Sequence, residues 1–327
     1  MKWANGGVIL LAGFLASCQE PSAPKATAAS PTPSLARGGS SSTALPASRA
    51  ALLADQINAR LAASGSTITV DEAWFFSQGA GIDPFRRLRT GSKWTKNAVT
   101  YVLDASDYTT EVAPNLVDAA LVSAFNSWNA INNTNIKASR VADDGGNNDV
   151  LDAIVTDANG NCVDIVDVSS PAVLAYDPST GNIDLQPFAD NVFGGWLDPA
   201  YFANCLGSAN IIGVTWTFSD IDRNHDGYRD RVYTEQYYNT RFHWTTTGSI
   251  YLDFSPDAQF DIESIVVHES GHTFGLGHFG GPNTNQPFKL QPNGRVFDPE
   301  AVMNPFYLGG EKRNPLPTDG AALRTLY

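Results

Sequence analysis

Cysteine and methionine are nearly absent from this chain. Its 327 residues include three cysteines, two methionines and five histidines. So few cysteines exclude a disulfide-framework scaffold and a cysteine-rich metal cluster. Basic residues are scarce as well: 21 Lys and Arg stand against 34 Asp and Glu, a net charge of −13. With no basic stripe along the chain, nucleic acid is not an expected partner. Internal repeats are lacking, and no segment after the N-terminus has the apolar length of a membrane span. What is present suffices for a core. Hydrophobic residues make up 43% and aromatics 11%, which suits a globular chain of one large or two modest domains. The excess of acid points to solubility, to Ca²⁺ ligands, or to both.

The first 18 residues, MKWANGGVILLAGFLASC, are a targeting segment rather than fold. A lysine precedes an apolar run from Val8 to Leu15, of signal-peptide length. The run ends in Leu15-Ala16-Ser17-Cys18, which resembles the bacterial lipobox. That resemblance implies lipidation of Cys18, a mature N-terminus there, and anchoring to a membrane surface without a spanning helix. The other reading is an ordinary signal peptide containing a cysteine. Export permits a disulfide, so Cys162 and Cys205 form one bridge or remain two buried thiols. Residues 19–48 are rich in Pro, Ser, Ala and Gly and bury no core, which suits a disordered tether.

Residues 49–91 read as a pro-region or N-terminal extension, with Leu52, Leu53, Ile57 and Leu61 near helical spacing in 49–63. The main domain occupies 92–327. NAVTYVLD (97–104), VLDAIVTD (150–157), AVLAYD (172–177), ANIIGVTWTF (209–218), RVYTEQYY (231–238) and SIYLDF (249–254) have strand character. Val117, Leu121, Ala124, Phe125 and Trp128 recur at three and four, as on an amphipathic helix. DIESIVVHESGHTF (261–274) reads as a second helix with Asp261 as N-cap. Strands with two long helices make an α/β or α+β fold.

Three of the five histidines fall in HESGHTFGLGH, 268–278. On a helix, His268 and His272 lie on one face, about 6 Å apart, and both can ligate one metal ion. Glu269 points about 100° further round, beside such an ion without ligating it. Gly275 can end the helix in the left-handed conformation and let the chain return His278 as third ligand. Three nitrogens leave one zinc position open, as a catalytic site requires. By ordinary residue usage, such a pattern arises by accident in about one chain in 10⁵. A site that still binds zinc but has lost catalysis is the alternative, and the intact Glu269 weighs against it.

HESGHTFGLGH resembles the metzincin signature H-E-x-x-H-x-x-G-x-x-H. The family's Met-turn has its counterpart in Ala301-Val302-Met303-Asn304-Pro305. WTKNAVTYVLD, the helix ending AFNSWN and the C-terminal PTDGAALRTLY are similar to the matrixin-like branch over about 92–327, most strongly from 260 onward. The resemblance implies a metzincin-like zincin: a twisted mixed five-stranded sheet, long helices, a small C-terminal subdomain and a cleft between the subdomains. Met303 would form an apolar floor under the zinc. It implies a zinc metalloendopeptidase in which Glu269 is the general base. Some features depart from the pattern. Phe279 fits no subfamily, Pro305 stands where astacin-like chains have Tyr, and Tyr307 takes no role. No cysteine between 19 and 161 can serve as a cysteine switch; the resemblance implies that an acidic residue can replace it, with Asp83 as candidate, and the other reading of Asp83 is turn chemistry before Pro84.

Asp222-Arg-Asn224-His-Asp226-Gly227-Tyr228-Arg-Asp230 matches the start of an oxygen-rich Ca²⁺ loop, with Tyr233 where the bidentate Glu belongs. Expected ligands are Asp222, Asn224, Asp226, Tyr228 and Asp230; the other reading is a solvated acidic hairpin turn. His225 and His243 are not expected ligands. The sequence thus predicts an exported, monomeric zinc peptidase that acts on polypeptide, with structural calcium. It would be lipid-anchored at the outer membrane or cell surface of a bacterial envelope, or secreted. A surface binding or adhesion lipoprotein on the same scaffold is the alternative, and a hydrolase of cell-wall peptides a third. Strand addition at 231–238 is the expected mode of substrate binding.

Overall fold

Residue spacing determines which helix faces turn inward. The computed structural model describes residues 46–78, 91–104, 111–151, 153–166, 174–177, 182–185, 188–248, 259–278, 281–282, 297–298, 300–307 and 312–327. Helix α1 spans Pro46–Ala63 and buries Ala50, Leu53, Ala54, Ile57 and Leu61; Leu52, expected on the same stripe, faces solvent. Helix α2 spans Pro114–Asn129, with proline in the first turn where no N–H partner is needed. It buries Val117, Ala120, Leu121, Ala124, Phe125 and Trp128. Helix α3 spans Ile262–Thr273 and is capped by Asp261, whose side chain accepts from Ser264 N at 3.0 Å. Helix α4 spans Pro317–Leu326.

The fold is mixed α+β around one sheet. Its strands are β1 Thr69–Gln78, β2 Ser92–Lys93, β3 Ala98–Leu103, β4 Lys137–Arg140, β5 Asn191–Leu197, β6 Ile211–Asp220, β7 Arg229–Asn239 and β8 Phe306–Tyr307. Their order is β8-β1-β6-β7-β5-β3-β4, with β2 also paired to β7. Strands β4, β3, β5 and β7 are mutually parallel, β6 runs antiparallel to β7, and β1 antiparallel to β6. Side chains alternate across the sheet. Ala73 and Phe75 of β1 join Val214, Trp216, Tyr233 and Tyr237 in a core under α1. Phe76 faces the opposite way, into the core built from α2, α3 and α4.

Several expectations change. The sheet has eight strands rather than five, because β1, β2 and β8 extend it. The segment 231–238 is no edge: β7 is bonded to β6 on one side and to β5 and β2 on the other. Residues 46–78 are built into the compact unit 43–327. Of the described residues in 150–157 only Val155–Thr156 is strand, in a short ladder with Cys162–Asp164. Strands β4 and β5 and the π-helical turn Tyr201–Leu206 have no counterpart in the sequence reading. In β5, Gly194 and Gly195 interrupt the apolar alternation. Gly194 is needed there because a Cβ would overlap Tyr237 Cε1 and lie 2.5 Å from Asp149 Oδ2 and 2.9 Å from Tyr237 Cδ1. The 249–254 segment, Cys18, Asp83 and Phe279 lie outside the described residues.

Asp261 does more than cap α3. Burial pushes its carboxyl up, but hydrogen bonds from Arg313 and Ser264 outweigh this and hold it below its ordinary value. Arg313 reaches both oxygens, at 2.6 and 3.0 Å. A depressed carboxylate stabilises the fold above its unfolded pKa of about 3.9, and that contribution fades as pH falls through the folded value. Asp261→Asn should therefore flatten the acid limb of stability below about pH 4 and cost about 1–2 kcal/mol at neutrality. Denaturant midpoints measured across pH check this.

Candidate metal centre

Helix α3 is fixed before its histidines are aimed. Trp128 Nε1 donates to Val267 O and Trp94 Nε1 to Thr273 O, both at 2.8 Å. Arg231, buried in β7, donates to His272 O and Thr273 O, so a cation sits at the negative end of the helix. Gly275, at φ 96°, ends the helix, and Leu276 N returns to Gly271 O at 3.0 Å. That turn brings His278 back over the helix.

The three rings converge. His268 Nε2 lies 3.1 Å from His278 Nε2 and 3.2 Å from His272 Nε2, and His272 Nε2 lies 3.1 Å from His278 Nε2. His268 Nδ1 donates to Val302 O and His272 Nδ1 to Leu276 O, each at 2.7 Å. These bonds set the tautomer of His268 and His272 and leave their two Nε2 lone pairs facing each other at 3.2 Å. Burial pushes His268 down to about 3 and holds His272 and His278 well below the ordinary value, so all three rings are neutral. Two bare lone pairs at that distance repel each other unless a cation lies between them, and His278 Nε2 stands 3.1 Å from both. Nitrogens about 2.05 Å from one four-coordinate zinc stand about 3.3 Å apart, close to the spacing found. The residues present therefore fit a divalent metal. Among the described residues no other group of three His, Cys, Asp or Glu converges in this way.

Glu269 is fully buried beside this cluster. Its Oε2 accepts from Thr215 Oγ1 at 2.5 Å, and its Oε1 has no hydrogen-bond partner among the described residues. Burial pushes the carboxyl up to about 8 against the Thr215 bond, and a cation among the histidines would pull it down again. Gly213 makes room, since a Cβ there would sit 2.9 Å from Glu269 Oε1.

Met303 lies under the helix, fully buried. A Cβ on Gly271 would overlap its sulfur and come within 2.8 Å of Trp128, so glycine is what allows this close approach. Asp319 of α4 holds the turn by accepting from Val302 N at 2.9 Å and Met303 N at 3.1 Å. On the opposite side β1 covers the rings. Trp74 stacks on His272 (centroids 5.0 Å, planes 5° apart) and meets His278 edge-on at 5.2 Å, while Phe76 stacks on His268 at 3.7 Å.

The remaining candidates lie elsewhere. Cys162 and Cys205 are joined as a disulfide, 43 residues apart in sequence, which ties the Cys162–Asp164 ladder to the π-helical turn. Asp222, Asn224, Asp226 and Asp230 accept the loop's own hydrogen bonds: Asp222 from Asp226 N and Gly227 N, Asn224 from Asp226 N, Asp226 from Tyr228 N, and Asp230 from Arg223 N. Lys93 pairs with Asp226 at 2.9 Å. The Tyr228 ring lies under Lys93 at 4.9 Å. His225 takes φ 59° in that loop, and His243 meets Glu111 at the surface, 2.6 Å away. Tyr307 belongs to β8. Thr215, Gly213, Gly271, Arg231, Asp319, Trp74 and Phe76 escaped sequence reasoning. Each acts across a long separation, and no local spacing marks it.

No protein-family model matches the chain, and no curated protein sequence does either.

Proposed function

We propose that the chain is a zinc-dependent endopeptidase with a metzincin-like, matrixin-like catalytic domain. The observation that carries this reading is the convergence of three neutral imidazole Nε2 atoms beside a buried carboxylate on the same helix. His268, His272 and His278 would hold the zinc. The ion would supply Lewis acidity to the scissile carbonyl and to water. Glu269 Oε1, free of other bonds, takes a proton from the attacking water and delivers it to the leaving amine nitrogen. Thr215 fixes Oε2, so one oxygen is held and the other works. Met303, packed on Gly271, gives the site an apolar floor.

The N-terminal sequence supports export, with Cys18 as lipid anchor at a bacterial outer membrane or cell surface, or secretion of the chain; residues 19–48 then serve as tether. Among the described residues no helix is long and apolar enough to cross a membrane. The chain is expected to act as a monomer on polypeptide. One observation favours the second reading, a binding lipoprotein without turnover: Trp74 and Phe76 lie across the histidines. Hydrolysis of casein separates the two. Cleavage should stop with phenanthroline and return with added zinc; no cleavage under any zinc condition, by wild type or by variants opened at β1, removes the peptidase. Calcium is proposed for the 222–230 loop on its sequence spacing. Added calcium should raise the melting temperature by a few degrees, about 1 kcal/mol at this size, and an unchanged melting curve removes calcium from the account.

A further inference from the structure

Strand β1 lies across the candidate site at Trp74 and Phe76. It is antiparallel to β6 from Thr69↔Ser219 to Ser77↔Ile211, so the side of β6 away from β7 is occupied by the chain's own backbone. Three alternate β1 residues face α3. Glu72 pairs with Arg231 at 3.0 Å, in a bridge buried on both sides. Trp74 covers His272 and His278 and donates from Nε1 to Glu72 at 3.2 Å. Phe76 covers His268. The fit to Trp74 is close: a Cβ on Gly277 would come within 2.9 Å of its ring. His268, His272 and Glu269 are fully buried under this cover. A reagent that must reach Glu269 and the histidine nitrogens from this side meets β1 first.

We infer that β1 is an internal occupant of the groove for an extended polypeptide, and that the groove takes ligands with the side-chain order acidic-x-aromatic-x-aromatic. This rests on the metal-site reading and deepens it. Backbone pairing to β6 supplies sequence-independent affinity, and pockets for alternate side chains supply selectivity. The acidic position is selected by Arg231, which is held in place by Ser92, His272 O and Thr273 O as well as by Glu72. The chain is closed by its own segment, and ligand entry requires β1 to leave β6.

The test uses the full chain loaded with zinc. Trp74→Leu combined with Phe76→Leu keeps both positions apolar, with smaller side chains, and removes the rings. Glu72→Gln, made separately, keeps the shape and loosens the polar clamp. Zinc transfer to a chromogenic chelator should quicken in both by about tenfold or more, as expected when ring contacts or a buried charge pair over a site are lost. Casein hydrolysis should rise with it. The free peptide TVDEAWFFSQ should suppress both gains, while the same peptide with Lys at its fourth position should not. Unchanged zinc transfer in two cooperatively melting variants overturns the inference. Wild-type hydrolysis as fast as that of the variants overturns it too, and leaves the peptidase reading intact. Faster zinc transfer without hydrolysis in any variant sustains the inference and removes the peptidase. Should the double variant fail to fold, Glu72→Gln and the two peptides decide alone.

Discussion

Glu269→Gln should bind zinc like the wild type and hydrolyse polypeptide about 10²–10⁴-fold more slowly, the usual contribution of a positioned general base. Glutamine keeps the length of the side chain, and its amide oxygen can still accept from Thr215 Oγ1, now 2.5 Å from Oε2. What it loses is the proton-accepting oxygen on the other side. The metal should stay, because the ligand atoms belong to the three histidines and the glutamate contributes none of the converging nitrogens. Measured on the wild-type background and again with Trp74→Leu, the comparison separates loss of chemistry from loss of access. Hydrolysis within a few-fold of the parent in both backgrounds would remove Glu269 from the mechanism.

Arg231→Met should produce the largest loss of stability among single substitutions near the site. The guanidinium is buried, pairs with Glu72, and donates to Ser92 and to two carbonyls at the end of α3. Removing it takes the cation at 3.0 Å away from the buried Glu72 carboxylate, which keeps the Trp74 indole N–H at 3.2 Å. Breaking one side of a buried pair costs about 3–5 kcal/mol, or about 10 °C of melting temperature at this size. Glu72→Gln added to Arg231→Met should recover part of that cost, since the buried negative charge is then gone. Equal melting temperatures for wild type and Arg231→Met would show that the pair contributes little to holding β1 against β7 and α3.

What could be read from the sequence was what the chain encodes locally. Val117, Leu121, Ala124, Phe125 and Trp128 of α2 are all buried, and Asp261 caps α3. The turn at Gly275 was legible because only a left-handed residue could return His278. Strand β5 was hidden by Gly194, which makes room for the Tyr237 ring of another strand, and by Gly195, which takes φ 89°. Strand β4, KASR, exposes three of its four residues and carries no apolar alternation. The placement of β1 was illegible for a different reason. Its residues read only as part of a pro-region or N-terminal extension, and pairing with a partner more than 130 residues away leaves no local mark. The groups around the histidines are of the same kind. Thr215, Arg231 and Asp319 reach α3 or the Met303 turn from distant segments, so the motif shows the ligands and not the residues that hold them.

The central claim is that His268, His272 and His278 together hold one zinc ion. Metal analysis of the purified full chain, after zinc loading and removal of excess, tests it most directly. The account predicts one zinc per chain in the wild type and in Glu269→Gln, and loss of that zinc when His272 is replaced by Ala in a chain that still melts cooperatively. A wild-type chain without zinc, or a His272→Ala chain that keeps it, would contradict the account.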